Sequence, residues 1–202
     1  MACRPNGAGR KKLVIRNFTG PRCLPKNYEE ETWLMLEEAV RAIQNRSSFI
    51  RYSLEKLNQI VSNLVDGNAD IAKKIHLRLK GVCEEHVKTK LTELDAKSGK
   101  VDTRTHLTLL NTIWRDHCKA FILIINLFLK LDRSSQCGGL WELGIEIFGR
   151  LIRERHIETK TIDGVLQLIQ NERQGRDQHW DLCSKRAHSN VTYGLKLLIT
   201  YL

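Results

Sequence analysis

DTRTHLTLLNTIWRDHCKAFILIINLFLKLD, residues 102–132, decides the fold. Leu107, Leu110, Trp114, His117, Phe121, Ile124, Phe128 and Leu131 recur at alternating three- and four-residue intervals without a slip. That spacing puts all eight on one side of an α-helix. Some thirty residues at 1.5 Å each give a helix of roughly 45 Å. So long an apolar seam normally lies among antiparallel neighbours in a bundle, with the polar residues turned outward.

Working outward, the flanking sequence supplies those neighbours. Asn27, with Glu30 three residues on, has the pattern of an N-cap and capping box. Trp33, Leu36, Val40 and Ile43 follow as the inward face of a first helix, which Asn45 to Ser48 end. A second helix is expected from about Ser53, burying Leu57, Ile60, Val61 and Leu64, and a third from about Ala69 to Leu94. After Gly138-Gly139 a helix over about 140–155 carries two stripes. One is Leu140, Gly144, Ile147 and Leu151, the other Trp141, Ile145, Phe148 and Ile152. A helix apolar on two sides is central in its bundle or touches a partner. A last periodic segment runs from about Thr161 to Glu172. The three prolines, at 5, 21 and 25, all precede these helices. The predicted class is all-α: a five-helix bundle with a basic arm before it and one more helical segment after it.

Charge narrows the function. The 202-residue chain carries a formal +10. Seven of its basic residues (Arg4, Arg10, Lys11, Lys12, Arg16, Arg22 and Lys26) fall in residues 1–26, which hold no acid. The body 27–173 is within one charge of neutral, whereas a groove that tracks phosphates needs its excess on the fold. The arm, Pro- and Gly-containing and without helical period, reads as flexible. Within it Leu13, Val14, Ile15 and Phe18 make a short apolar cluster of high β propensity. Arg10-Lys11-Lys12 reads equally as a nuclear-import patch and as a solvated run.

Reactive constellations are missing from the sequence. Six cysteines, at 3, 23, 83, 118, 137 and 183, form no C-x-x-C pair and suggest neither zinc module nor disulfide framework. A reducing intracellular compartment is the simplest reading. Asp116-His117-Cys118 invites a catalytic interpretation, but adjacent helical residues point about 100° apart. His117 lies on the seam and reads as a satisfied core histidine. His76, Cys83 and His86 share one side of the third helix; three ligands do not complete a structural zinc site, and Cys83 reads as a small core residue. There is no Gly-rich phosphate loop and no G-x-S-x-G turn. Cofactor, metal, membrane and direct nucleic-acid partner are all expected to be absent, and no enzyme is expected.

Six strings taken together, in this order and spacing, add more: KKLVIRNF (11–18), YEEETWLMLEEAVRAIQ (28–44), CEEHV (83–87), WRDHC (114–118), LWELGIEIF (140–148) and TIDGVLQLIQNERQG (161–175). Over 11–175 the chain resembles the N-terminal end of a cullin, most like the cullin-4 class, in a truncated form. That resemblance implies an arm over 1–26, a first helical repeat over 27–158, the first helix of a second over 159–175 and a divergent tail over 176–202. It implies a non-catalytic scaffold fragment of a cullin-RING ubiquitin ligase, acting in ubiquitin-dependent degradation in the nucleus and cytoplasm. The partner it implies is the β-propeller adaptor of that class, the large damage-specific DNA-binding protein. No RING subunit is expected, because the family's RING-recruiting region does not appear in the sequence. Adaptor contacts are expected from Leu13, Val14, Ile15 and Phe18 of the arm. Leu54, Glu55 and Asn58 on the second helix, and Trp141 and Ile145 on the Leu140 helix, are expected to join them. Leu54 stands open between core and contact, and Trp141 and Ile145 between contact and packing against the last helix. The competing function is a small basic helical nucleic-acid binder.

Overall fold

A computed structural model describes residues 27–47, 51–67, 69–98, 102–134 and 138–174. Seven helices occupy them: α1 (Tyr28–Gln44), α2 (Leu54–Gly67), α3 (Ala69–Ser98), α4 (Thr103–Leu127), α5 (Leu129–Asp132), α6 (Leu140–Glu154) and α7 (Ile157–Arg173). No strand occurs among the described residues. The all-α expectation holds.

All eight seam residues of α4 and α5 are buried, Leu110, Ile124, Phe128 and Leu131 completely. α4 is the hub, packing against α1, α2, α3, α6 and α7. Asp102 starts it properly, accepting from the Thr105 backbone N–H at 3.2 Å. α1 starts otherwise than expected. Asn27 sits in the helical region (φ −95°, ψ −1°) and its side chain caps nothing. Glu30, the expected partner in a capping box, instead reaches across to α3, 2.5 Å from Arg78 and 3.4 Å from Lys74. Long-range ion pairing has displaced the local motif.

Phe128 breaks what the sequence presents as a single long helix (φ −102°, ψ 27°). The break frees carbonyls at the end of α4, and α2 supplies the donor. With its amide oriented to suit its neighbours, Asn58 donates to Leu127 O at 2.7 Å and to Asn126 O at 3.3 Å. α5 then returns the chain toward α6, where the Asp132 carboxylate accepts from Leu140 N–H at 2.7 Å. Gly138, at φ +71°, allows the turn between them that a side chain would disfavour.

Two further boundaries moved. α3 runs about a turn past Leu94, to Ser98, and α7 starts at Ile157, ahead of Thr161. Ile157 and Thr161 are 0% and 2% exposed, so tertiary burial holds a first turn that weak local periodicity conceals.

Candidate protein-binding surface

α6 answers the question of its two stripes by splitting one of them. Leu140, Gly144, Ile147 and Leu151 are buried, and so are Phe148 and Ile152 from the second stripe. Trp141 remains 38% exposed and Ile145 half-buried. The helix is therefore central at its C-terminal end and a surface element at its start. Gly144 sets how close it comes to α4: a Cβ there would lie 2.7 Å from the Phe121 ring. That approach leaves a shallow apolar cleft, too tight to admit a water molecule, lined by Trp114, His117, Cys118, Phe121, Trp141 and Ile145.

Under the cleft, His117 Nε2 lies 2.9 Å from Gly144 O, so the ring donates there as the neutral tautomer. Burial pushes its pKa down to about 4. Trp114, Phe121 and Phe148 surround it, at centroid distances of 6.0, 4.7 and 5.3 Å. Asp116 faces away and pairs with Arg46. His117 is the satisfied core histidine its place on the seam suggested. Burial raises the Cys118 thiol to about 11 and the Cys83 thiol to about 12, far from thiolate reactivity. Cys83 is fully buried beside Gln44 Nε2 at 3.5 Å. Among the described residues no three His, Cys, Asp or Glu side chains cluster to hold a metal, and no helix is long and apolar enough to cross a membrane.

A pH dependence follows. Burial is the leading cause that lowers the pKa of His76, His86, His106 and His117. Below pH 6.5 the unfolded chain takes up protons that the folded chain refuses, so stability falls as pH drops from 6.5 toward 4. His117 alone should remove about 2 kcal/mol by pH 5. Denaturant melts at pH 7 and pH 5 should show that loss, and His117→Gln should shrink it; a flat profile would contradict the buried neutral ring.

On α2, Leu54 is 54% exposed and Glu55 exposed, so Leu54 belongs to the surface rather than the core. Asn58 is half-buried, its amide committed to α4. α5 joins this helix to the start of α6 through the Lys130–Asp66 pair at 3.0 Å and the Asp132 cap. Leu13, Val14, Ile15 and Phe18 lie outside the described residues. Sequence reasoning missed Ile122 and Leu129, 52% and 40% exposed beside the seam. Their four-three-four register with Cys118 and Ile125 was legible but overshadowed by the longer seam.

α7 packs on α4 and α6 while Ile162, Leu166 and Ile169 stay 44%, 59% and 40% exposed along one side. A helical unit that leaves an apolar side exposed on α7 is built like a repeat of an α-solenoid. Comparison with known families agrees: the cullin alpha solenoid domain matches residues 33–199, and the chain belongs to the cullin family. That match runs past Gly175, into the 176–202 segment expected to diverge. Human cullin-4A is 41% identical over 179 residues, 85% of this chain and 23% of its own length. Mouse cullin-4A gives the same figures. Cullin-4 of Dictyostelium discoideum is 31% identical over 180 residues, 86% of this chain. The chain thus spans under a quarter of the length of these relatives.

Proposed function

We propose that this chain is a non-catalytic scaffold module of a cullin-RING ubiquitin ligase, acting in ubiquitin-dependent protein degradation. Its partner is the β-propeller adaptor that carries substrate receptors. The observation that carries this reading is α6: one side and its C-terminal end are locked in the core, while Trp141 is exposed and Ile145 half-buried beside an apolar cleft. A tryptophan held on a rigid helix is the kind of anchor that dominates protein interfaces. Leu54 and Glu55 extend the surface along α2, and Leu13, Val14, Ile15 and Phe18 of the arm complete it. Action in the nucleus and cytoplasm is part of this proposal and rests on the family resemblance.

Calorimetry of the 202-residue chain against purified adaptor tests the proposal. A 1:1 complex should form, weakening less than roughly tenfold between 50 and 200 mM salt. A phosphate-bound module would lose about 10³-fold or more over that range. Absence of binding to the adaptor, or a steep salt slope with duplex DNA, would reject it.

A further inference from the structure

The residues missed in sequence form a second apolar stripe. Cys118, Ile122, Ile125 and Leu129 share one side of α4 and α5 over about 16 Å. Ile122 and Leu129 are exposed, Cys118 and Ile125 half-buried. The stripe adjoins α6, because Cys118 lines the same cleft as Trp141 and Ile145. Its outer border is basic. Arg115, Lys119 and Arg133 are exposed on that side, and none forms an ion pair with a described residue. Of the neighbouring acids, Asp116 is paired with Arg46, and Asp132 is held at the Leu140 N–H. Three exposed cations with no ion-pair partner among the described residues thus line one border of an apolar strip.

We infer that this stripe is a docking surface on α4 that takes an apolar segment of the adaptor bordered by acidic side chains. The inference rests on the adaptor reading above and carries the contact surface from α2 and α6 onto α4. A second copy of this chain is a poor occupant, because two such stripes face to face bring the same cations together. Nucleic acid fits poorly, because the centre of the strip offers apolar side chains where phosphates need donors.

Calorimetry against the purified adaptor, with a thermal melt of each variant, tests it. Ile122→Glu should weaken binding by roughly tenfold or more and leave the melt unchanged, since half of that side chain is already in water. Arg115→Glu with Lys119→Glu should weaken binding several-fold and flatten the modest salt dependence of the wild type. If Ile122→Glu lowers the melt, Leu129→Ser and the double charge reversal decide instead. Unchanged affinity and salt slope in these variants, with the wild type binding normally, would overturn the stripe and leave the α6 reading standing. A wild type that does not bind the adaptor would overturn both. Sedimentation velocity showing a dimer that Ile122→Glu abolishes would assign the stripe to self-association and overturn the inference.

Discussion

Phe148→Ala should cost about 3–5 kcal/mol of folding stability, the largest loss expected from any single substitution on α6. The side chain is 1% exposed and sits 4.8 Å from the Trp114 ring and 5.3 Å from His117, centroid to centroid. Truncation removes the transfer free energy of a phenyl group and leaves a void. That void cannot collapse easily, because Gly144 already holds α6 against Phe121 with no room to move closer. Against a typical total of about 5–15 kcal/mol, such a loss brings the bundle near its limit. Urea unfolding should show a lower midpoint at unchanged slope. A loss under about 1 kcal/mol would mean that the aromatic cluster around His117 is not the junction of α4 and α6.

What the sequence disclosed, and what it withheld, divides along the range of the interactions. The α4 seam was readable because eight residues in strict register leave little choice of buried face. His117 could be assigned to the core from its place in that register alone. The break at Phe128 could not be read, because its stabilising partner, Asn58, lies seventy residues away in sequence. The failed capping box has the same cause: Glu30 meets Arg78 and Lys74 only once α1 and α3 pack. Of the surface, the doubled stripe on α6 signalled something unusual. Which half of it faced water depended on how α6 packs across Trp114 to Phe121 of α4. Ile122 went unnoticed because a residue one position off a strong seam reads as its margin.

That division shapes the expected behaviour of the interface. Ile15→Ala with Phe18→Ala should weaken adaptor binding by roughly tenfold or more while leaving the melting temperature unchanged. The buried core of the described residues is assembled by side chains from Trp33 to Ile157. Ordering arm residues on a propeller surface costs about 1–2 kcal/mol for each backbone unit fixed. Burying an isoleucine or phenylalanine returns about 1.5–3 kcal/mol, so the arm binds only if its few apolar anchors are used, and losing two removes most of the return. Trp141→Ala should behave differently. Its ring forms one wall of the cleft over Cys118 and Phe121, so it should lower the affinity by roughly tenfold or more and the melting temperature slightly. Calorimetry with purified adaptor beside a thermal melt separates the two variants. Unchanged affinity in the arm double variant would remove the arm from the interface, and a lowered melting temperature would place it in the fold. If Trp141→Ala lost stability without losing affinity, its exposed ring would be packing rather than contact, and the binding surface would have to lie elsewhere on the bundle.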